Sequence, residues 1–468
     1  MADIRRTILT EMKKQKSIIL PLIPTNSTWF AKTAITTAFL GRLGELELAA
    51  GTLGFTFANV TGISILTGLC WAMEPICGQA HGAKNRRLLH RTLLMTVILM
   101  LVASLPISFV WFFVDRILLL FGQQRDMALL AKRYVFYLFP DLWATSFLSP
   151  LKAYYSSQGI TLPTIVSAAL AVGFHVPFIV FLSRTKGIGG VALAVGLSDI
   201  VEVVALGAYL FFTESWKGAD SGGWWEHRAS EWLRLLRLSA QCCFSFCLEW
   251  WNYEILVLLA GRLPEAQRAV AVLTIVLNFD YLLYGFMISI ATCASTRVAN
   301  ELGAGEPRAS QTAACVSIFF SAAAGFAGGG LIFAFRGSWG RLFSRDGGVV
   351  AGVKRTLPLM AVFEVFSFPL GASGGVVRGT TRPWLGMWSV GGFYLVGLPL
   401  AAGLGFGKGY GLCGLLLGFV AGIVTSAGLL GVLVARVDWI GEAGEARKLA
   451  SEEVGVGGEA GVELIDVC

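Results

Sequence analysis

The pentapeptides GRLGE at 41–45 and GRLPE at 261–265 lie 220 positions apart in this 468-residue chain. If they mark the same turn in two copies of one unit, further matches should recur at that offset. QGITLP ends at Pro163 and RGTTRP ends at Pro383, which is again 220 positions. The order and spacing of these matches predict that the chain is a duplication.

Two further matches extend the repeat. KGIGGVAL from 186 resembles KGYGLCGL from 408, and GQAHGAK from 78 shares its Gly-Ala with ANELGAG from 299. Their offsets are 222 and 221. Each match falls at a loop or at a predicted helix end, so all four are expected to join the same elements in both halves.

The composition is that of a membrane protein. Hydrophobic residues make up 55% of the chain and charged residues only 14%, against about 25% charged residues in soluble domains. Mean hydropathy is +0.68, and apolar runs of 18 or more residues recur along the sequence. The net charge of +7 is interpreted as juxtamembrane charge, and no nucleic-acid partner is expected.

The apolar pattern predicts an all-α integral membrane fold with twelve transmembrane helices. The predicted spans are 17–40, 49–75, 92–114, 131–155, 163–183, 188–213, 238–260, 269–294, 312–335, 355–378, 386–406 and 411–435. Pro21, Pro24, Asn26 and Lys32 interrupt the first span, which is therefore expected to face other helices or a cavity.

The repeat divides these spans into two lobes of six helices. The N-terminal lobe covers 17–213 and the C-terminal lobe 238–435, with a tail at 1–16, a linker at 214–237 and a disordered tail at 436–468. Because six is even, both copies enter the membrane from one face. This predicts two parallel repeats around a central cavity.

The charge of the loops sets the predicted orientation. Basic residues are concentrated in MADIRRTILTEMKKQK at 1–16 and in HGAKNRRLLHR at 81–91, which favours a cytoplasmic location for that face. Both termini and the linker are then cytoplasmic. The sequence leaves open whether the host membrane is the plasma membrane or a vacuolar or endosomal membrane.

Signals for enzymatic chemistry are missing from the sequence. It contains no GxxxxGK[ST] phosphate loop, no CxxC metal spacing and no positioned nucleophile–base pair. We therefore expect no catalytic residues, no metal and no cofactor. Two six-helix lobes with polar groups at mid-membrane favour a secondary transporter that works by alternating access; a passive channel and a lipid flippase remain alternatives.

Four stretches carry a resemblance to a known family. They are GRLGELELAAGTLGFTFANVTG at 41–62, CLEWWNYEILVLLAGRLP at 247–264, STRVANELGAGEP at 295–307 and GVVRGTTRP at 375–383. In these the chain resembles the plant branch of the multidrug and toxic compound extrusion (MATE) family, the DETOXIFICATION proteins. The resemblance extends to RVDWIGEA at 436–443.

The resemblance implies a V-shaped monomer of 6 + 6 helices in the lipid bilayer. It also implies export of small organic solutes in exchange for protons, with substrates that range from xenobiotics and secondary metabolites to hormones. LFPDLW at 138–143 and FEVFSFP at 363–369 are similar to a subgroup linked with hormone and stress-related export.

Two glutamates are the candidate proton-coupling residues. An ionisable group at the membrane centre is costly, so its presence is a functional hypothesis by default. Glu249 lies at the middle of the seventh span and begins the EWW motif of the family. Glu364 lies near the middle of the tenth span, one turn before Ser367, which is where the family's usual acid would fall. A buried structural carboxyl is the alternative for each.

Other polar residues are secondary candidates. Asp280 either extends an acidic cluster with Glu249 or pairs with a cation from a neighbouring helix. Glu254 is about 140° round the helix from Glu249 and is not expected to share its face. Asn278, in the same span as Asp280, and Asp141 and His175 in the N-terminal half are possible polar contacts. Asp199 and Glu202 are assigned no role.

Three aromatic residues next to Glu249 are candidates for contact with substrate: Trp250, Trp251 and Tyr253. Aromatic faces bind flat or cationic solutes, although such residues equally pack helices together. A shift of 220 positions carries Glu249 to Trp29 and Glu254 to Ala34. Proton coupling is therefore assigned to the C-terminal half.

The parallel repeat makes a topological prediction. Cysteines introduced at Gly41 and Arg262 should both react with a membrane-impermeant thiol reagent from the same, non-cytoplasmic side. Labelling of intact and permeabilised cells measures this. Labelling of the two positions from opposite sides would reject the parallel arrangement.

Overall fold

The computed structural model describes residues 2–216, 229–344 and 346–451. Helices account for nearly all of this part of the chain, and no strand occurs in it. Residues 217–228 of the predicted linker and 452–468 of the predicted tail lie outside the described residues. The all-helical membrane fold expected from the sequence is confirmed.

The first half contains ten helices and one short π-helical turn. In chain order they are α1 (Ala2–Leu43), α2 (Glu45–Ala58), the π turn (Asn59–Ile63), α3 (Ser64–Cys70), α4 (Met73–Gly82), α5 (Arg86–Phe112), α6 (Val114–Leu120), α7 (Arg125–Tyr137), α8 (Phe139–Ser157), α9 (Leu162–Lys186) and α10 (Ile188–Trp216).

The described residues of the second half form nine helices and three short 3₁₀ or π turns. They are α11 (Ala229–Ala260), α12 (Ala266–Gly303), α13 (Pro307–Phe335), α14 (Trp339–Phe343), α15 (Gly347–Gly379), α16 (Met387–Gly391), α17 (Leu398–Ala402), α18 (Gly411–Ala435) and α19 (Trp439–Ser451), with a 3₁₀ turn at Pro383–Gly386 and π turns at Gly392–Gly397 and Gly403–Gly407.

Twelve membrane crossings follow from these helices. Ten segments of the described chain are long and apolar enough to cross a membrane by length and composition alone. The other two are α1, which carries charged residues, and the pair α7–α8, which breaks at Leu138 before Pro140. The number therefore agrees with the sequence prediction.

The duplicated sequence motifs occupy equivalent places. GRLGE lies at the α1–α2 junction, where Gly44 has a φ of 152°, and GRLPE lies at the α11–α12 junction. Lys84 has a left-handed φ of 59°, and its repeat counterpart is Gly305 with a φ of 77°. A lysine that keeps an unfavourable conformation where the other copy has glycine indicates that the backbone of the repeat is retained.

The first helix of each half crosses to the opposite lobe. In the first part of α1, Gln15 donates a hydrogen bond to the Ala313 carbonyl oxygen (2.9 Å), and Asn26 donates to the Ser289 hydroxyl (2.9 Å). The second part of α1 packs on α9 and α10. The predicted boundaries assign α1 wholly to the N-terminal lobe and leave 1–16 as a tail, but residues 2–16 are helical, and Glu11 and Gln15 bind residues of the C-terminal lobe.

Helix α11 makes the reciprocal crossing. The Cys243 thiol donates to the Ile65 carbonyl oxygen (3.6 Å), and Arg91 of α5 pairs with Glu231 of α11 (3.1 Å). Residues 229–237 form the first turns of α11. The prediction that they belong to the linker at 214–237 is therefore wrong. These contacts lie at the face of the protein where α10 ends and α11 begins, which we call the linker face.

Helices α4 and α12 bring the two lobes together at the linker face. A Cβ atom added to Gly82 would overlap the Asn300 carbonyl oxygen, and one added to Gly303 would overlap the Gln79 carbonyl oxygen. These glycines are the last residues of α4 and α12 and lie inside the two repeat-related motifs that begin at 78 and 299, so the duplicated segments pack on each other. Glycine permits this backbone approach because it has no side chain.

Part of the predicted disordered tail is helical, so that prediction is wrong for 439–451. Ala443, Ala446 and Ala450 of α19 are buried and form one apolar strip at helical spacing. Glu442 accepts a hydrogen bond from the Thr381 backbone N–H (2.8 Å), and Asn85 donates to the Ala450 carbonyl oxygen (2.9 Å). The small, polar composition concealed this strip.

The α4–α12 contact can be tested with one methyl group. Gly82→Ala should cost about 1–3 kcal/mol of stability, because an overpacked contact must move apart. The thermal midpoint of the purified protein measures this. Gly330→Ala is the matched control, since a Cβ there meets nothing within 4 Å. Equal midpoints for the two variants would contradict the close packing.

Candidate functional site

A glycine repeat in α15 brings the acidic residues of the C-terminal lobe together. Gly371, Gly375 and Gly379 recur every four residues, and a Cβ at Gly375 would overlap the Ala291 carbonyl oxygen of α12. Because small residues at this spacing let two helices approach closely, α12 and α15 pack along much of their length. Polar side chains on their facing sides are therefore in reach of each other.

Asp280 and Glu364 form a buried carboxyl pair. Their exposed fractions are 4% and 2%, and the two side chains are neighbours across the contact between α12 and α15. Tyr253 is a further neighbour of Asp280. Two carboxylates in contact repel strongly, so a proton held between them is the stable arrangement. Asp280 lines one cavity together with Glu249, and its neighbouring acid in α15 is Glu364. The role of Asp280 stays a prediction.

Glu249 lies where two cavities of the C-terminal lobe meet. One has a volume of about 60 Å³ and is lined by Glu249, Trp71 and Arg378. The other has a volume of about 20 Å³ and is lined by Glu249, Tyr253 and Asp280. Glu249 is half-buried and belongs to both walls, so its carboxyl group is next to space that water can enter.

Aromatic rings form much of the cavity wall. Trp250 and Tyr284 line both cavities, and their ring centroids are 5.3 Å apart in an edge-to-face arrangement. Trp251 lines neither cavity, and 37% of its surface is exposed. Of the three aromatic candidates, Trp250 and Tyr253 thus lie at the cavities and Trp251 lies away from them.

The remaining candidates of the C-terminal lobe divide by position. Ser367 lines the smaller cavity, and its hydroxyl donates to the Met287 sulfur (3.5 Å). Among the residues described, Glu254 and Asn278 are half-buried and line neither of these cavities. The predicted separation of Glu254 from Glu249 agrees with this placement.

The N-terminal lobe holds its own buried charges, about α1, α8 and α10. Lys32 pairs with Asp199, and Asp141 is a buried neighbour of this pair. Lys152 pairs with Glu202 at 2.7 Å. Asp199 and Glu202, to which the sequence assigned no role, thus bind lysines: Lys32 of the interrupted first span pairs with Asp199, and Lys152 pairs with Glu202.

His175 lies beside this group. Its Nδ1 is 2.8 Å from the Ser198 hydroxyl, and its Nε2 is 3.3 Å from the Thr36 hydroxyl. Both ring nitrogens have partners, and the residue is fully buried. His175 therefore has the surroundings of a packing histidine, and with Asp141 it lies in the other lobe from Glu249.

Sequence reasoning missed an ion pair between the lobes. The Arg378 Nε donates to a Glu74 carboxylate oxygen (3.0 Å), and the guanidinium lies 4.1 Å from the Trp71 ring centroid. Both charges fall inside predicted spans, but near their ends rather than their midpoints. The sequence could have indicated this pair, because a charged residue inside a membrane span requires a partner.

Comparison with known proteins places this architecture in a family. The MatE family model matches residues 21–181 and 242–402, two segments at an offset of 221 positions. Protein DETOXIFICATION 56 of Arabidopsis thaliana is 49% identical over 451 residues, which cover 95% of this chain and 91% of that protein. Protein DETOXIFICATION 48 of the same plant is 38% identical and covers 96% and 84%.

Solved structures of known transporters share this fold. The crystal structure of the eukaryotic MATE transporter AtDTX14 superposes with a TM-score of 0.88 at 32% identity, covering 95% of this chain and all of the other. An outward-facing multidrug resistance MATE transporter has the same fold, with a TM-score of 0.82 at 17% identity and coverage of 94% and 97%.

Two six-helix repeats joined at one face, with a polar cavity inside the membrane region, define a two-lobed membrane transporter. The family match covers both repeats, and relatives above 30% identity align over nearly the whole chain. The chain belongs to the MATE family of transporters.

The lysine in the N-terminal lobe makes a prediction about stability. Lys32→Met leaves Asp199 without its ammonium partner, which should cost about 3–5 kcal/mol. The double variant Lys32→Met with Asp199→Asn should recover most of this loss, because the unpaired charge is removed as well. Thermal unfolding of the purified proteins measures both. A single variant as stable as the parent would contradict the pairing.

Proposed function

We propose that this protein exports organic solutes from the cytoplasm in exchange for protons by alternating access. Glu249 and the Asp280–Glu364 pair carry the exchanged proton. The substrates are xenobiotics, secondary metabolites or a plant hormone, and the working unit is a monomer. The linker face is cytoplasmic, and the host membrane is the plasma membrane or a vacuolar or endosomal membrane.

The grouping of three acids at or beside one aromatic-walled cavity supports this proposal. Glu249 shares a cavity with Asp280, and Glu364 is the neighbouring acid of Asp280. A cationic or hydrogen-bonding solute and a proton satisfy the same carboxylate, so binding of one displaces the other. Trp250 and Tyr284 supply flat apolar surface on which an organic solute can stack.

The charge balance of the lobes favours the same assignment. The carboxylates Asp199 and Glu202 of the N-terminal lobe are held by lysines. The acids of the C-terminal lobe instead lie beside one another and beside tyrosines, and Glu249 and Asp280 line a cavity. A group without a fixed cationic partner is the one whose charge can be changed by a proton or by a solute.

The driving force is sufficient for concentrative export. One proton that moves down two pH units contributes about 2.7 kcal/mol, and 100 mV contributes about 2.3 kcal/mol. Together they support a gradient of roughly a thousandfold or more for a neutral solute. A passive channel would equilibrate the solute instead, and a flippase would move lipid headgroups.

Transport by the purified protein in liposomes tests the proposal. The panel contains an organic cation, a neutral flavonoid and an organic acid, each measured with and without an imposed pH gradient. We expect accumulation of at least one solute that stops when the pH and voltage gradients are collapsed. Flux that ignores both gradients would favour the channel, and labelled lipid crossing without solute flux would favour the flippase.

Variants of the acids test the site within this assay. Glu249→Gln keeps the shape and hydrogen bonding of the side chain but cannot release a proton, so gradient-driven transport should fall at least about tenfold. Glu364→Gln should also impair coupling. Glu254→Gln is the matched control, because Glu254 lies on the same helix and lines neither C-lobe cavity; it should retain transport.

Moving the acid by one turn separates coupling from structure. Ser367 lines the cavity and lies about 4.5 Å along the helix axis from Glu364. Glu364→Gln with Ser367→Asp should therefore restore part of the lost coupling. A purely structural Glu364 would behave differently: the single variant would lose thermal stability, and the relocated acid would rescue nothing.

A further inference from the structure

Arg378 joins the cavity of Glu249 to the opposite lobe. It belongs to α15, yet its Nε binds Glu74 of α4, 304 positions away in the sequence, and its guanidinium stacks on Trp71. The side chains of Arg378 and Glu74 are 12% and 14% exposed. The pair therefore lies between the lobes and is largely shielded from solvent, where electrostatic interactions are strong.

The same guanidinium faces Glu249. Arg378 and Glu249 line the larger cavity together, and their charges attract each other. The Nη2 of Arg378 is buried and has no hydrogen-bond partner. Arg378 thus binds Glu74 through Nε, and its Nη2 makes no hydrogen bond. It also acts electrostatically on Glu249, whose charge changes in the proposed cycle.

Other titratable groups surround this pair. The cavities of Glu249 are also lined by Tyr253 of α11 and by Asp280 and Tyr284 of α12. Cys242 of α11 lines the larger cavity together with Arg378 and is near Glu74. Arg378 is the one cation among these described groups, and it binds the N-terminal lobe through Glu74.

We infer that the Glu74–Arg378 ion pair is a charge-sensitive latch, through which the charge on Glu249 biases the closure of the linker face. This inference rests on the proposed proton exchange at Glu249. Arg378 is a positioning residue in this role: it acts on the distance between the lobes and not on the solute.

The sign follows from which charges move together. Glu249 and Arg378 both belong to the C-terminal lobe, so their attraction persists whether the lobes are closed or apart. Glu74 belongs to the other lobe and binds Arg378, which lines the cavity of Glu249, so opening of the linker face would carry Glu74 away from both residues. A negative Glu249 therefore repels Glu74 and competes for Arg378 in the closed state, whereas a protonated Glu249 leaves Arg378 to Glu74.

Protonation of Glu249 thus favours closure, and loss of the proton favours opening. By reciprocity, closure favours proton binding to the same extent. With the linker face toward the cytoplasm, the proton binds while that face is closed and leaves once it opens. This order moves protons inward, as the proposed exchange requires.

The distance between the lobes tests the latch without any transported solute. Spin labels are placed at Arg86→Cys and Arg308→Cys, two exposed positions at the linker-face ends of α5 and α13. Cys315, Cys413 and Cys468 are replaced by serine. Double electron–electron resonance in nanodiscs at pH 6 and pH 8.5 then gives the closed and open populations.

In the parent protein, the higher pH should shift the closed-to-open ratio toward open by about tenfold. Glu249→Gln should remove this shift. The difference between the pH shift of the parent and that of Glu249→Gln is the part due to Glu249, because other titrating groups such as His81 are present in both proteins. Glu74→Gln should lower the closed population and also remove the shift, because the repelled charge is gone. An unchanged shift in Glu74→Gln would overturn the inference.

Exchanging the two charges gives the sharpest outcome. In Glu74→Arg with Arg378→Glu, a negative Glu249 attracts the new arginine, so the higher pH should now favour closure. If this double variant closes as the parent does and still opens at the higher pH, the ion pair only holds the lobes together and the inference is wrong. Glu231→Gln is the matched control: it removes another ion pair between the lobes, that with Arg91, and should lower closure while the pH shift remains.

These outcomes distinguish the latch from the proton site. If Glu249 does not exchange the proton, Glu249→Gln keeps the parent's pH shift and both proposals fail. If the proton site is correct and the latch is wrong, Glu249→Gln loses the shift and Glu74→Gln keeps it.

Discussion

The close approach of the α4 and α12 backbones at the linker face is the constraint on which the arrangement of the lobes depends. Glycines at the ends of both helices allow carbonyl groups to lie where side chains would otherwise be. With these two helices in contact, α1 and α11 reach the opposite lobes, and Glu74 meets Arg378. The helix ends thus determine which charged groups become neighbours.

The two lobes treat buried charge differently although they share one fold. In the N-terminal lobe lysines from α1 and α8 neutralise the carboxylates of α10. In the C-terminal lobe the acids face a cavity and each other. Since an ion pair fixes charge and an unpaired carboxyl group can change it, this difference is the reason for assigning the proposed proton exchange to the C-terminal lobe.

The sequence predicted what depends on local pattern. The repeat offset, the twelve crossings and the separation of Glu249 from Glu254 follow from periodicity, which one chain displays by itself. The Glu74–Arg378 pair does not, because its members are 304 positions apart and each resembles an ordinary charge at a helix end. Helix α19 escaped prediction because its buried strip consists of alanines, whose apolar signal is weak.

The crossing of α1 and α11 bears on the origin of the chain. Each of these helices packs part of its length on the lobe built by the other half. A half-length ancestor would have exposed that surface unless a second copy covered it by the same exchange. The ancestor is therefore expected to have been an obligate dimer with swapped first helices, and gene fusion then converted an intermolecular contact into an intramolecular one.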